Sequence, residues 1–375
     1  MGRRSSWNKL VDKFQEKLSA WKAKSLSFGG RKILCKPVLG SLGVYLFSLF
    51  KVPENVLNTL ESLRNQFIWG WTGQSRKIIW VRWNVTCNSM VKGGIGIGSL
   101  KTLNWSLLAK WWSRFLNEEG SLWRDCIKAF HGARGGIFSD GCKKPGVWGA
   151  ITKWDILIRK VGLNVNNFWS VDINGIRRWT LSEDGVFSVK TCRGKIEEGV
   201  LQSDGRVTKW NKLVPGKVNM PIWRLSKSRL PTRYNLSLRG VRVSSVLCPC
   251  CLSQPETEGH LLFGCSTTKV IGAYVKNWWS GFPCQATNLA EFFSAAQFPF
   301  KGKKVKEVLE VILMAFIWML WTNQNVLVFN KPVKNPLVIY KEIVLFLFNW
   351  IRLRSKSCNS LDWNVWCISP LTTLL

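Results

Sequence analysis

Cys248-Pro249-Cys250-Cys251, followed by His260 and then Cys265, is the stretch that decides the reading of this chain. Four cysteines and one of only two histidines in 375 residues fall inside it. A tetrahedral zinc takes thiolate sulfur at about 2.3 Å and imidazole nitrogen at about 2.0–2.1 Å, and a Cys3His set closes its coordination sphere, which makes a site structural rather than catalytic. The spacing predicts Zn2+ held by Cys248, Cys251, His260 and Cys265. The close cysteine pair would supply a tight turn, and the His and last Cys, five positions apart, would reach the metal from one short helix or its end. Cys250 is left as a spare thiol. The competing account is a cluster of buried free thiols, which pack as small hydrophobes, with His260 making an ordinary hydrogen bond.

Pro215-Gly216-Lys217-Val218 leads to this stretch through Trp223-Arg224-Leu225, Arg229-Leu230-Pro231-Thr232-Arg233, Asn235-Leu236 and Arg239-Gly240-Val241, and Glu256 and His260-Leu261 lie within it. In that order these words resemble the zinc-binding domain that follows the reverse transcriptase of plant LINE-type (non-LTR) retrotransposons. Leu18-Ser19-Ala20-Trp21-Lys22, Leu26-Ser27-Phe28-Gly29-Gly30-Arg31, Phe67-Ile68-Trp69-Gly70 and Gly93-Gly94-Ile95-Gly96 are similar to the segment just downstream of the polymerase palm. Trp318, Trp321, Asn325 and Phe329 are similar to the family's helical tail, although Gln324 stands where the pattern has Arg. The resemblance implies a thumb-like helical region, a zinc-binding domain and a tail.

Charge points the same way. Lys and Arg number 54 against 22 acids, a net charge of +32, and such an excess favours a polyanionic partner without specifying a fold. Arg224, Lys227, Arg229, Arg233, Arg239 and Arg242 accumulate just ahead of the cysteine stretch with no acid among them, and are the candidate nucleic-acid contacts. Ten basic residues against Asp12 and Glu16 mark positions 1–36 as a second basic tract. Twelve scattered cysteines without a secretory signal at Met1–Lys9 fit a reducing compartment, nuclear or cytoplasmic, rather than a disulfide framework. The apolar run Val311–Trp321 falls short of the roughly 20 residues that span a bilayer and reads as a buried helix, so no membrane partner is expected.

Apolar residues at helical spacing predict amphipathic helices over Trp7–Ser27, Glu54–Trp69 and Leu100–Leu116, with their aromatics in a core. Lys92-Gly93-Gly94-Ile95-Gly96-Ile97-Gly98 invites a phosphate-loop reading, but no Gly-x-Gly-x-x-Gly or Gly-Lys-Ser/Thr can be laid on it, and it reads as a turn. Asp184-Gly185 between Arg178–Leu181 and Val186–Val189 signals a β-hairpin. Trp210–Val214, Val218–Leu225 and Thr232–Leu238 read as short helices, and Lys304–Phe329 and Pro336–Arg354 as an antiparallel helical pair. The expected fold is mainly α: a helical bundle followed by a small zinc-binding domain with one β-hairpin and a helical tail. Its expected divisions are 1–131, a Gly-rich linker at 132–147, the zinc-binding domain at 148–285 and the tail at 286–375.

Polymerisation needs acids that hold two metal ions a few Å apart. The Tyr-x-Asp-Asp signature is missing from the sequence, and the adjacent acids Glu118-Glu119, Glu183-Asp184 and Glu197-Glu198 fall in turns or at helix ends. His131 has no Gly-x-Ser-x-Gly elbow to serve. The sequence therefore predicts a non-enzymatic, nucleic-acid-binding protein with structural zinc and no small-molecule substrate. The alternative is a retroelement remnant or structural interaction protein that keeps its packing and no binding activity.

Overall fold

The computed structural model describes residues 4–18, 24–71, 77–137, 146–171, 177–203, 205–208, 210–294, 302–329, 332, 334–356 and 358–372. The chain forms two compact units, Met1–Gly205 and Arg206–Leu375. Both are dominated by helices, and one two-stranded antiparallel sheet is present among the described residues.

In the first unit the principal helices are α1 (Asn8–Lys17), α2 (Glu54–Trp69), α3 (Leu100–Asn117), α4 (Leu122–His131), α5 (Val147–Thr152), α6 (Trp154–Arg159) and α7 (Val189–Val200). Of the helix expected over Trp7–Ser27, α1 accounts for the first part, and residues 19–23 lie outside the described residues. α3 is the central element. Ser99 caps it by accepting from the Lys101 N–H at 3.1 Å. The carboxylate of Glu61 on α2 accepts from the Leu100 N–H at 2.7 Å, and its charge complements the positive end of the helix dipole. The same carboxylate takes the Trp83 indole N–H at 3.0 Å and pairs with Arg64 at 2.7 Å.

Most of the unit's tryptophans are core, as their helical spacing predicts. Trp105, Trp112, Trp148, Trp154, Trp169 and Trp179 are all buried in one cluster. Edge and tilted contacts join them, Trp169 to Trp179 at 4.9 Å and Trp112 to Trp154 at 5.5 Å between centroids. Three of these indoles keep a hydrogen bond inside: Trp112 to the Ile151 carbonyl, Trp148 to that of Gly135, and Trp179 to the Thr191 hydroxyl.

The glycine run at 93–98 is a turn folded back on the helix end before it. Gly96 and Gly98 donate to the Asn88 and Cys87 carbonyls at 2.8 and 2.9 Å. A Cβ on Gly94 would stand 2.1 Å from the Asn88 carbonyl oxygen, so no larger residue fits there.

The hairpin lies one step earlier than the Asp184-Gly185 signal places it. Its strands are β1 (Trp169–Val171) and β2 (Arg177–Trp179), with Trp169 opposite Trp179. Residues 186–188 are not strand because Ser188 accepts from the Thr191 N–H at 3.1 Å and turns the chain into α7. α5, α6 and the hairpin, placed by the sequence reading at the head of the zinc-binding domain, pack in the first unit's core. Positions 138–145 of the expected linker lie outside the described residues.

The second unit contains α8 (Gly216–Ser226), α9 (Arg233–Ser237), α10 (Ser266–Trp278), α11 (Lys303–Val328), α12 (Pro336–Arg354) and α13 (Trp363–Ile368). Trp210–Val214, expected as a helix, is irregular because Asn211 and Asn219 bond its backbone instead: the Asn211 N–H donates to Asn219 Oδ1 at 3.1 Å and Asn219 Nδ2 to the Asn211 carbonyl at 2.9 Å. Among the described residues α11 is the one helix long and apolar enough to cross a membrane, yet Val308, Leu309 and Val311 through Leu320 form the middle of this unit's core. It packs on α8 and α12, and α12 also packs on α10.

Candidate metal centre

The metal turn is built in three pieces. Leu247 and Pro255 make a single antiparallel bridge, and between them the Cys248 N–H donates to the Gln254 carbonyl at 2.8 Å. The Leu252 N–H returns to the Cys248 carbonyl at 2.9 Å, with Leu252 in the left-handed region at φ 57°. That closes a knuckle carrying Cys248 and Cys251. His260 then opens a wide helical turn to Gly264, and Cys265 sits at the N-terminal boundary of α10 with its N–H bonded to the His260 carbonyl at 2.7 Å.

One ligand atom from each of Cys248, Cys251, His260 and Cys265 lies within 4.8 Å of the other three. The Cys248 and Cys265 sulfurs are 4.0 Å apart, and Cys251 Sγ is 3.2 Å from His260 Nε2. A tetrahedron of zinc–sulfur bonds at 2.3 Å has edges of about 3.8 Å, so the spacing suits one small ion. Gln254 Oε1 lies 3.0 Å from His260 Nδ1, which makes Nδ1 the proton donor and leaves the Nε2 lone pair for metal. Ser253 donates to Cys251 Sγ at 3.2 Å. The sulfurs of Cys248 and Cys250, and then the backbone N–H groups of Thr268 and Thr267, hold Cys265 well below the ordinary thiol range, while its neighbour Cys248 is raised. Cys250 lies against Cys248 and Cys265, which push its thiol far upward. Donor types, spacing and histidine tautomer all fit a structural zinc.

Two acids the sequence reading gave no role fasten the turn to the rest of the unit. Glu258 accepts from the Leu230 N–H at 2.7 Å and from Asn235 Nδ2 at 3.1 Å. Fully buried Glu256 accepts from the Arg233 N–H at 3.3 Å, and Gln324 of α11 hydrogen-bonds it. Burial pushes both carboxyls up to about 7. Glu256 Oε1 and Gln324 Oε1 find no hydrogen-bond partner. Gln254 and Glu258 carried no signal beyond their closeness to His260, whereas Glu256 was part of the resemblance without a role.

The six candidate basic contacts do not line one face. Lys227 is buried, and its ammonium hydrogen-bonds the Arg206 carbonyl. Arg233 spends its guanidinium on the Leu247 carbonyl at 3.0 Å and on Glu256 at 3.9 Å. Arg224 is half-buried on α8. Arg229, Arg239 and Arg242 are exposed in the sequence leading to the knuckle, as are Tyr234, Leu238 and Val241. The helical period that put basic residues near one another also turned some of them inward.

Residues 187–271 match the family described as zinc-binding in reverse transcriptase. The chain therefore carries a reverse-transcriptase zinc-binding domain related to those of retroelements, and the four converging donors lie inside it. Over 120 residues the chain is 34% identical to a putative ribonuclease H protein of Arabidopsis thaliana, covering 32% of this chain and 19% of that one. Over 83 residues it is 34% identical to an uncharacterized mitochondrial protein of the same plant, covering 22% of this chain and 54% of the relative. The chain thus spans about a fifth and about half of the curated relatives it matches. No solved structure matches it.

Proposed function

We propose that this chain is a nucleic-acid-binding, zinc-stabilised segment of a LINE-type reverse transcriptase that binds without catalysing, acting in a reducing compartment, nuclear or cytoplasmic. Cys248, Cys251, His260 and Cys265 hold the ion. It supplies a fixed crosslink there and no reaction step. The knuckle it closes carries Leu247, whose carbonyl anchors Arg233 and with it the start of α9. Arg229, Arg239 and Arg242 are thereby presented to phosphates.

One observation carries this reading: residues 205–255, which lead into the metal turn, contain ten lysines and arginines and no acid, and four arginines of that tract, Arg206, Arg229, Arg239 and Arg242, are exposed. Each phosphate neutralised releases counterions, with a slope of log affinity on log salt of about −0.9 per contact on duplex DNA and about −0.7 on single strands. Three contacts give about −2.7 on duplex DNA. The test is affinity of the zinc-loaded chain for DNA duplexes and RNA single strands over a tenfold salt range. A loss of about a hundredfold or more supports the reading, and a flat response overturns it in favour of a domain that only packs.

A further inference from the structure

Arginines from three stretches of the first unit meet in one cavity. Its volume is about 530 Å3, and Arg124, Arg134, Arg177, Phe115, Ile137 and Asn166 are among the residues that line it. No acid among the described residues does so. We propose that this cavity binds the phosphate monoester at the end of a nucleic-acid strand. This assignment rests on the nucleic-acid reading above for its class of partner, and on none of that reading's residues.

Each guanidinium is placed by a different device. Arg124 lies on α4, Arg134 in the turn that follows it, and Arg177 opens β2. The turn is clamped from two sides: the Trp148 indole donates to the Gly135 carbonyl at 2.7 Å, and a Cβ on Gly135 would stand 2.5 Å from the Phe115 ring. Gly135 also has a φ of 59°, so glycine alone suits the position. The Ile137 N–H returns to the Arg134 carbonyl at 3.0 Å, with Ile137 buried. Arg134 is thus held by its backbone while its side chain stays exposed. Arg124 packs its guanidinium 5.7 Å from the Phe115 ring centroid, and its side chain is 14% exposed. Its Nε is buried without a hydrogen-bond partner, and its pairing with Glu119 is long, 3.8 Å to a carboxylate that is 87% exposed. Such a pair contributes little. A buried donor left unmade costs free energy that an arriving acceptor recovers.

Three positive charges with no acid between them call for an anion, and the guanidinium fork matches phosphate oxygens. A phosphate monoester carries about −1.5 to −2 charges near neutral pH and three acceptor oxygens, one for each arginine. A carboxylate offers two. An internal phosphodiester also offers two and has chain on both sides, whereas a strand end can enter a concave site. The cavity falls within the roughly 300–1,000 Å3 of small-ligand sites, larger than a phosphate alone. Phe115 and Ile137 give the attached nucleoside an apolar wall, and the Asn166 amide offers a donor and an acceptor to a base edge.

The experiment measures binding of the full, zinc-loaded chain to one single-stranded oligonucleotide made with a 5′-phosphate, with a 3′-phosphate or with hydroxyls at both ends, and adds inorganic phosphate as competitor. Affinity about tenfold or more higher for at least one phosphorylated form is expected, the scale that hydrogen bonds to charged groups allow. Arg134→Ala should abolish that preference and Arg124→Lys weaken it, with zinc content and unfolding of Arg134→Ala unchanged. Arg239→Ala with Arg242→Ala should lower affinity for all three strands and keep the preference. Equal affinity for the three strands overturns the proposal, as does a preference that survives in a folded Arg134→Ala chain. Inorganic phosphate that binds in an Arg134-dependent way without any end preference would mark a free-anion site and overturn the nucleic-acid assignment. Salt-dependent binding without an end preference removes this proposal alone, whereas failure of every strand to bind removes the earlier reading with it.

Discussion

The glycine turn of the first unit and the cysteine turn of the second are each fixed by different chemistry. At 93–98 the chain uses its own groups: amides of Ile95, Gly96 and Gly98 return to the carbonyls of Thr86, Asn88 and Cys87, and buried Arg64 donates to the Gly98 carbonyl at 3.1 Å. Ile95 and Ile97 are buried beneath it. At 248–255 the connecting residues Leu252, Ser253, Gln254 and Pro255 are all exposed and two backbone bonds close the knuckle, whereas Leu261 and Leu262 beyond it reach the unit's core. A turn that buries little apolar surface cannot offset the entropy of ordering it, so a crosslink must. The two turns should therefore fail under different treatments.

The largest effect is expected from the metal. Structural zinc in finger peptides is worth apparently about 10–16 kcal/mol near neutral pH. His260→Ala or Cys251→Ala, or a strong chelator, should abolish zinc binding and unfold 223–278, read as lost amide-exchange protection. The tryptophan core of the first unit should stay protected. Loss of protection around Trp112 and Trp154 on chelation would break the contrast.

Arg64→Ala is the converse perturbation. It strips the guanidinium from a carboxylate that is 15% exposed at the start of α3 and from the Gly98 carbonyl. Breaking a buried pair by removing one partner costs about 3–5 kcal/mol. Denaturant unfolding of the first unit should show that loss with zinc content unchanged.

How far each turn could be read in the sequence follows from the same physics. Ligand chemistry is local in residue type and spacing, so Cys248, Cys251, His260 and Cys265 stood out, and they converge. The tryptophan helices were legible because the helical period is local too. What holds the glycine turn, Glu61 and Arg64 acting across 33 to 39 positions, leaves no local mark. The hairpin strands fell next to their expected place because a Ser188 cap outcompeted strand pairing. The inward turn of Lys227 and Arg233 depends on carbonyls and a carboxylate brought up by the fold. Charge counting cannot anticipate that.

A smaller effect tests how the cysteine turn is joined to α11. Burial raises Glu256 from its ordinary 4.5 to about 7. A carboxyl raised on folding contributes stability that is fully present below its unfolded value and fades as pH rises through the folded one. Between about pH 4.5 and 7 the wild-type chain should lose up to about 3 kcal/mol relative to Glu256→Gln, which does not titrate, and the difference should level off above. Unfolding of both chains at saturating zinc across this range measures it. A pH-independent difference would show that Glu256 is ionised throughout.

The smallest expected stability effect separates the two kinds of arginine in the sequence leading to the knuckle. Arg239 and Arg242 are exposed, and surface substitutions of this kind usually stay within about 0.5 kcal/mol. Arg239→Ala with Arg242→Ala should leave unfolding and zinc content where they were, yet lower the salt slope on duplex DNA by about 1.8 if both meet phosphate. Sequence preference should not move, because phosphate contacts position a protein without reading bases. Arg233→Ala should behave the opposite way. It removes the donor to Leu247 and the partner of Glu256, so the unit should lose stability and zinc retention together. If Arg233→Ala instead lowers the slope with no loss of stability, its guanidinium belongs to the binding face and the division drawn here between fastening and contacting arginines fails.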